Sequence, residues 1–422
     1  MKSPAEDEAR VLASPEFAEL IETLTRDSEP NISTLQKLRS RFGPTAFAAA
    51  SRIVAARRKA TGKLPEAERL WLDPVRTEQA THRVVSAHKA LRFAGAKVAD
   101  LCCGIGGDSF ALARFADKVV ALDLDPDTIL RLKHNLGILG LDHQVRPVLG
   151  DAAWPPVPPD WLIHIDPDRR SHERSGRPVR QIDAYTPGTS ALVRLMKTYQ
   201  GGAIKLGPAS DFATLEKAAK TAGVRTETEI VSLDGECKEA TLWFGHLAGE
   251  SPRRATSLPA GHSVCGVERP IEFEDDPASK PNRWIFEADP ALTRSGLVSQ
   301  VAKEHGLKSC TTDGAWLAGS VPTDSPWLTP FEVVAEIAAD RKIVRAEARK
   351  LGWTSAVVKT RGGEGADRFS GWFDRKPGGM TRETMLVAYR QGGKSRAILA
   401  VRQDGFGAID GSIKPDRDVS SG

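Results

Sequence analysis

A glycine-rich turn is the part of this sequence best suited to bind a ligand. The residues from Asp100 to Asp108, DLCCGIGGD, lie between an apolar, strand-like run and the helical stretch SFALARFA. Glycines let a chain turn tightly and approach a ligand closely, and the N–H groups at the start of the next helix face the same space. The turn predicts a ligand site at the end of a strand, although dinucleotide enzymes and ordinary tight turns share this pattern.

Three acidic residues each follow a predicted strand. Asp123 ends KVVALD, Asp151 follows HQVRPVLG and Asp166 ends WLIHID. Open α/β sheets bind ligands at the carboxyl ends of their strands, so these carboxylates are expected close to the glycine turn. There Asp123 can accept hydrogen bonds from both hydroxyls of a ribose, and Asp151 can face an adenine amino group. Any one of them can instead cap a helix or lie in a solvated loop.

The elements that position these acids alternate between strands and helices from Val98 to Phe244. The apolar runs are KVADLC, KVVALDL, HQVRPVLG, WLIHIDP, GGAIKLG, TEIVSL and ATLWFG. Strands separated by helices predict an α/β fold with a doubly wound, parallel sheet. The last two runs are joined by Asp234-Gly235-Glu236-Cys237, which is too short for a crossover helix, so the sheet is expected to end in an antiparallel hairpin.

Helical patterns flank this region. PEFAELIETL and STLQKLRSRF predict helices near the amino terminus, with Ser33 as an N-cap, and EQATHRVVSAHKALRF predicts one helix from Glu78 to Phe93. Later, ADPALTRSGLVSQVAKEHG and EVVAEIAADRKIVRAEARKLGW predict helix-bearing segments, and TSAVVKTR and AILAVRQ predict strands. This end of the chain is therefore expected to form a separate α/β domain.

The ordered motifs from about Trp71 to Phe244 resemble class I S-adenosylmethionine-dependent methyltransferases, whose Rossmann-like sheet ends in such a hairpin. The resemblance implies that Gly104 and Gly106 border the methionine part of the cofactor, with Asp100 near its amino group. It implies that Asp123 holds the ribose and Asp151 contacts the adenine. We add the neighbours of these residues to the predicted cofactor-binding set, namely Cys102, Leu124 and Ala152.

The stretches ERLWLDPVRTEQAT, HIDPDRR, DGECKEATLW and SAVVKTRG further resemble bacterial methyltransferases that carry a THUMP-like domain. This resemblance spans most of the chain and implies an RNA substrate, either tRNA or rRNA. The predicted division is an N-terminal helical segment (1–76), a methyltransferase domain (77–247), a linker (248–282), a C-terminal α/β THUMP-like domain (283–408) and a disordered tail (409–422).

The tetrapeptide Asp166-Pro167-Asp168-Arg169 is predicted to be catalytic. Amino-directed methyltransferases carry Asp/Asn-Pro-Pro-aromatic here, and the first residue aims the lone pair of an amine at the methyl group. Asp168 and Arg169 replace the second proline and the aromatic residue, which puts base stacking in doubt, although an arginine plane can also stack on a base. The acceptor atom stays open at this stage.

Basic residues supply candidate contacts to RNA. Arg170 and Arg174 lie in the arginine-rich loop after the tetrapeptide, where guanidinium groups can bind phosphate, and Tyr185 can stack on a base or pack in the core. Arg341, Arg345 and Arg349 repeat every four residues and so share one helical face. Internal salt bridges in the loop and a plain solvated helix face are the competing interpretations.

The remaining features exclude several classes of protein. The five cysteines include no CxxC pair, and no HExxH motif is present, so neither a metal site nor a disulfide framework is expected. The acidic amino terminus and the lack of a long apolar run predict a cytoplasmic protein outside the membrane. Two other functions stay open, a small-molecule methyltransferase and a catalytically silent RNA-binding protein, and the oligomeric state is undetermined.

Overall fold

The computed structural model describes residues 4–27, 30–168, 185–272, 284–311, 314–360, 366–369, 371–373, 384–391 and 393–402. By its internal contacts the chain divides into two compact units. The first comprises Met1–Thr228 and Glu239–Glu250, and the second comprises Glu229–Lys238 and Ser251–Gly422. Within the described ranges, no helix combines the length and the apolar character needed to cross a lipid bilayer.

The first unit begins with helices and continues as an alternation of strands and helices. Its helices are α1 (Pro4–Ala13), α2 (Ala18–Arg26), α3 (Ile32–Phe42), α4 (Pro44–Ala60), α5 (Pro74–Gln79), α6 (Arg83–Ala90), α7 (Gly107–Phe115), α8 (Pro126–Leu139), α9 (Thr189–Thr198) and α10 (Phe212–Thr221). Its strands are β1 (Lys97–Leu101), β2 (Lys118–Asp123), β3 (Val145–Leu149), β4 (Leu162–Ile165), β5 (Gly201–Leu206), β6 (Thr226–Leu233, whose last residues enter the second unit) and β7 (Glu236–Gly245, which returns from it).

The sheet of the first unit has the strand order β3-β2-β1-β4-β5-β7-β6. The pairs β3/β2, β2/β1, β1/β4 and β4/β5 are parallel, and β7 runs antiparallel to β5. All six residues of β5 are buried, as expected for a strand covered on both faces. The predicted α/β fold with a parallel sheet is confirmed, and the parallel pairing brings the carboxyl ends of β1 to β4 to one edge.

Two sequence predictions near the amino terminus are wrong in detail. The N-cap of α3 is Asn31, not Ser33, because the Asn31 side chain accepts a hydrogen bond from the N–H of Thr34 at 2.9 Å. The single helix predicted from Glu78 to Phe93 is broken: α5 ends at Gln79 and α6 begins at Arg83. His82 caps α6 by accepting from the N–H of Val84, which starts a new helix at that point.

Among its described residues, the second unit contains four helices and nine strands that lie wholly within it. Its helices are α11 (Pro290–Ser295), α12 (Val298–Glu304), α13 (Arg341–Lys350) and α14 (Ala366–Phe369). Its strands are β8 (Arg253–Leu258), β9 (His262–Gly266), β10 (Trp284–Ala288), β11 (Lys308–Ser309), β12 (Trp316–Gly319), β13 (Leu328–Ala338), β14 (Val357–Thr360), β15 (Thr384–Gln391) and β16 (Lys394–Arg402). These numbers refer to the part of the chain that the structure describes.

Seven of these strands form one sheet in the order β11-β12-β10-β13-β16-β15-β14, in which β14 and β15 are the parallel pair. The stretch EVVAEIA, expected within a helix-bearing segment, is instead part of β13. Its backbone pairs with β16 along most of its length, and Glu332 also pairs with Trp284 of β10. This pairing outweighs the helical spacing of its apolar residues. The predicted helix begins only at Arg341, where Asp340 caps α13.

Candidate active site

The glycine-rich turn joins β1 to α7 in a constrained backbone conformation. Cys102, Gly104 and Gly106 have φ angles of 56°, 57° and 98°, all in the left-handed region. Glycine adopts this region freely, whereas Cys102 is strained there. A Cβ atom on Gly106 would also lie 2.6 Å from side-chain atoms of Phe110 and Leu132. The turn therefore has little freedom to change shape.

Hydrogen bonds fasten this turn to the neighbouring strand β2. The N–H of Cys103 donates to the carbonyl of Leu122, and the N–H of Gly104 donates to Oδ2 of Asp123, each over 3.0 Å. The other oxygen of Asp123 accepts from the N–H of Asp125, also at 3.0 Å. The half-buried Asp123 carboxylate is thus held in one orientation beside the turn.

A cavity of about 720 Å³ opens at the edge where β1 to β4 end. Asp123, Asp151 and Asp166 all line it, together with Asp100, so the structure brings the strand-end acids together. Among the described residues, its wall carries nine aspartates against two arginines. This excess of negative charge favours a ligand that carries positive charge.

Seven of the eight residues predicted to hold the cofactor line this cavity, namely Asp100, Cys102, Gly104, Asp123, Leu124, Asp151 and Ala152. The eighth, Gly106, is not among the lining residues and contributes through the shape of the turn. Leu124 is 62% exposed, Ala152 is buried, and the exposed Asp151 accepts a hydrogen bond from the N–H of Ala153 at 2.8 Å.

Asp100 is fully buried where it borders the cavity, and both of its oxygens already have partners. Ser109 donates to Oδ2, and Nδ1 of His164 lies 2.7 Å from Oδ1. The Nζ atom of Lys89 lies 3.4 Å from Nε2 of the same histidine. An ammonium group can only donate, so Nε2 accepts and Nδ1 carries the hydrogen toward Asp100. Asp100 therefore orders the floor of the site through these neighbours.

Lys89 lies at the centre of a buried cluster of charges that the sequence analysis missed. Its Nζ atom is 2.9 Å from Asp108 and 2.8 Å from Glu239. Burial alone would lower the pKa of Lys89, but Asp108 and Glu239 outweigh it and hold the pKa above its ordinary value. Burial likewise opposes the ionisation of Asp108, but the positive charge of Lys89 more than reverses this, so the pKa of Asp108 is lowered. Lys89 therefore keeps its charge in the interior.

The predicted catalytic tetrapeptide starts directly after β4. Asp166 is half-buried, its side chain is 30% exposed, and its Oδ2 atom lies 2.6 Å from Nζ of Lys205 on β5. Pro167 is buried, whereas Asp168 is exposed and exchanges two backbone hydrogen bonds of 2.9 Å with Thr186. All three residues of the tetrapeptide that the structure describes line the cavity. Arg169 lies outside the described residues.

The predicted substrate contacts are distributed over separate places. Arg170 and Arg174 lie outside the described residues. Tyr185 is buried, and its hydroxyl shares a hydrogen bond with the hydroxyl of Ser210, so the ring packs inside the first unit. The basic stripe is found on α13 of the second unit: Arg341 and Arg349 are exposed, and Arg345 is partly buried.

The thiols of the turn are unsuited to nucleophilic chemistry. Burial raises the pKa of Cys102 well above its ordinary value, and the nearby charges of Asp123 and Asp166 raise it further. Burial and Asp100 do the same for Cys103. A protonated thiol is a poor nucleophile. Within the described part of the chain, no group of three His, Cys, Asp or Glu side chains is arranged to hold a metal ion.

The segment in front of α6 contributes cavity residues that the sequence analysis did not assign. Arg76, Gln79 and Thr81 line the cavity, Arg76 pairs with Asp125, and the hydroxyl of Thr81 donates to Asp108 at 2.6 Å. The resemblance of ERLWLDPVRTEQAT already marked this stretch, but only the folded chain shows that it faces the glycine turn. Lys205 had a different signal, since it is a charged residue inside the apolar run GGAIKLG.

Sequence comparison finds relatives over most of the chain. Two uncharacterized S-adenosylmethionine-dependent methyltransferases of Mycobacterium tuberculosis, from strains CDC 1551 and H37Rv, are each 33% identical over 316 residues. The match covers 72% of this chain and 83% of each relative. A shorter stretch, residues 95–169, matches the family described as RNA cap guanine-N2 methyltransferase. This stretch contains the glycine turn and the strand-end acids.

Structure comparison finds a similar fold in a protein of Porphyromonas gingivalis W83 that is assigned as a methyltransferase. The two structures superpose with a TM-score of 0.68 and share 20% sequence identity. The match covers 92% of this chain and 99% of the other. Because the sequence identity is only 20%, this similarity supports the fold and says nothing about the reaction.

Proposed function

The chain belongs to the S-adenosylmethionine-dependent methyltransferases, and from this premise we propose that it methylates RNA at a base nitrogen. Asp166 would position the acceptor, and the second unit would dock the RNA, either tRNA or rRNA. The observation that carries the proposal is the position of Asp166 at the end of β4, on the wall of the same cavity as Asp100 and Asp123.

The cofactor is S-adenosylmethionine, and the cavity fits it in size and charge. Its volume of about 720 Å³ lies within the roughly 300–1,000 Å³ of ligand pockets in general. The excess of aspartates suits a cofactor that carries a sulfonium cation and an amino group. In the proposed arrangement, Gly104 and Asp100 border the methionine part, Asp123 holds the ribose and Asp151 contacts the adenine.

When bound, the cofactor supplies an electrophilic methyl group, and the protein must align an acceptor with it. An amine or ring nitrogen reacts through its lone pair, so the main task of Asp166 is to accept a hydrogen bond from the acceptor and fix its direction. Asp166 also carries negative charge where positive charge develops on the acceptor nitrogen. The nitrogen then releases its extra proton readily, without a strong base.

Two observations support RNA as the substrate. The relevant family match at residues 95–169 is described as RNA cap guanine-N2 methyltransferase. The second unit carries the basic face of α13, and guanidinium groups spaced along a helix can follow phosphates. The THUMP-like character of this unit, the division at residues 76, 247, 282 and 408, and the antiparallel hairpin at the sheet's end are parts of the proposal.

One experiment tests the substrate directly. The full chain is incubated with cofactor labelled in the methyl group and with total cellular RNA, and the labelled nucleoside is identified by digestion and mass spectrometry. A parallel reaction receives an RNA-free extract of small metabolites. The proposal is supported if wild type transfers label to an RNA nucleoside and Asp166→Ala does not. Label in the metabolite fraction alone would favour a small-molecule methyltransferase.

A further inference from the structure

Lys205 lies beside Asp166 because of the register between two parallel strands. Ile165 at the end of β4 pairs with Ile204 of β5, so the next residues, Asp166 and Lys205, follow side by side. The Nζ atom of Lys205 is 2.6 Å from Oδ2 of Asp166. The lysine is thus the group that restrains the proposed acceptor-positioning carboxylate.

The surroundings of Lys205 keep it positively charged. Its side chain is 10% exposed, compared with 30% for Asp166. Burial alone would lower the pKa of Lys205, but the charge of Asp166, followed by those of Asp108 and Glu239, outweighs it, so the pKa is raised. An ammonium group carries no lone pair and cannot take a proton from an acceptor. The charged state and the contact with Asp166 favour a role for Lys205 through Asp166 over a role as general base.

The geometry around Asp166 suggests what this role is. The ammonium group of Lys205 engages Oδ2, whereas no hydrogen bond among the residues that the structure describes uses Oδ1. The backbone N–H of Asp166 donates to the carbonyl of Leu101 at 3.1 Å, so the main chain is also held. A carboxylate fixed through its backbone and one oxygen presents its second oxygen in a defined direction.

We propose that Lys205 is a positioning residue for methyl transfer, which holds Asp166 through Oδ2 so that Oδ1 meets an N–H of the acceptor. This inference rests on the proposed role of Asp166. A buried ion pair can also serve the fold alone, because loss of one partner leaves an uncompensated charge in the interior. The two roles differ in what Lys205 substitutions do when Asp166 is absent.

The test is a double-mutant cycle on the full chain, with labelled cofactor and either total RNA or the metabolite extract, whichever wild type methylates. Lys205→Met removes the charge, Lys205→Arg keeps it, and each is also combined with Asp166→Ala. Arg92→Met is the matched control: Arg92 pairs with buried Glu227 at 2.6 Å in the same unit, and neither residue lines the cavity. Calorimetry measures cofactor affinity for every variant.

If Lys205 acts through Asp166, Lys205→Met should lower kcat by roughly tenfold to a hundredfold, as expected for a misaligned reactive group. Cofactor affinity should stay within about twofold. Lys205→Arg should have a kcat between those of Lys205→Met and wild type. In the Asp166→Ala background, adding Lys205→Met should lower kcat little further. Arg92→Met should lower the thermal midpoint without this loss of kcat. If Lys205→Met does not fold, Lys205→Gln takes its place in the cycle.

Two results would overturn the inference. The first is an unchanged kcat in folded Lys205→Met or Lys205→Gln. The second is an equal loss of rate whether Asp166 is present or replaced by alanine, since Lys205 would then act independently of it. If wild type methylates metabolites and not RNA, the proposal of an RNA substrate fails. The double-mutant cycle, measured with the metabolite extract, still tests the role of Lys205. If wild type labels neither fraction, the proposed function and this inference fall together.

Discussion

The N–H of Gly104 donates a hydrogen bond of 3.0 Å to Oδ2 of Asp123, so the glycine turn and the carboxylate at the end of β2 are held together. Asp123→Ala removes both this link and the proposed ribose contact. We expect the variant to bind S-adenosylmethionine more weakly by about 1.5–3 kcal/mol, the usual cost of losing hydrogen bonds to a charged group. Isothermal titration calorimetry measures the difference.

Asp117→Ala is the matched control for this prediction. Asp117 is an exposed aspartate immediately before β2, at the opposite end of the strand from Asp123. Its replacement should leave cofactor affinity unchanged. Equal affinity in wild type and Asp123→Ala would reject the ribose assignment.

A pair of substitutions separates positioning from base catalysis at Asp166. Asp166→Asn keeps an oxygen acceptor at nearly the same place, whereas Asp166→Ala removes it. Asp166→Ala should lower turnover by roughly a hundredfold or more and leave cofactor affinity nearly intact. Asp166→Asn should lower turnover by a smaller factor. Single-turnover kinetics with labelled cofactor provides the comparison.

Asp160→Asn serves as the control, since Asp160 is exposed and lies before β4, at the other end of that strand. If asparagine at position 166 is as inactive as alanine, the negative charge is required and general-base chemistry becomes the better explanation. If both variants react at the wild-type rate, Asp166 is not part of the catalytic site.

The basic face of α13 should contribute to RNA affinity through charge. Val344 and Ala348 are buried against the second unit, whereas Arg341 and Arg349 are exposed, so the helix has a polar outer face. Replacing Arg341, Arg345 and Arg349 with glutamate in the full chain should weaken binding to RNA of any sequence and reduce its dependence on salt. Fluorescence anisotropy at several salt concentrations measures both.

Cofactor affinity should not change in this triple variant. Lys303→Glu controls for a charge reversal elsewhere on the second unit, because Lys303 is exposed on α12. RNA binding that is the same in wild type and the triple variant would show that the stripe is an ordinary solvated helix face.

The buried Lys89–Asp108 pair should make the stability depend on pH. Burial opposes the charge of Asp108, but Lys89 reverses this, so its folded-state pKa lies below the ordinary value of 3.8. The pair therefore stabilises the protein above that value and loses its contribution as the pH falls toward the folded-state pKa. Asp108→Asn should lower the free energy of unfolding by about 3–5 kcal/mol at neutral pH.

Urea denaturation at about pH 7 and about pH 3 measures this difference. It should shrink at the lower pH, because Asp108 of the unfolded wild-type chain is then protonated and must ionise again on folding, whereas asparagine does not titrate. Asp117→Asn, at an exposed site, should change stability little at either pH. A difference for Asp108→Asn that is the same at both values would contradict the role of the ion pair.

Sequence patterns predicted some parts of the fold well for a local reason. Buried parallel strands are apolar along their length, and a helix between two of them forces a crossover, so the α/β order of the first unit could be inferred. The local pattern did not predict the structure of EVVAEIA, because the spacing of its apolar residues is compatible with both a helix and a strand. Its place in β13 is decided by pairing with β16, a strand that lies far from it in the sequence.

The sequence by itself determined that Asp123, Asp151 and Asp166 would approach the glycine turn, because residues that follow parallel strands share one edge of the sheet. Only the tertiary structure decided which side chains contact these carboxylates from the interior. Lys205 meets Asp166 across the register of β4 and β5, although the two residues are 39 positions apart in the sequence. Side-chain pairing of this kind depends on strand order and register, and neither is encoded in any local stretch of the chain.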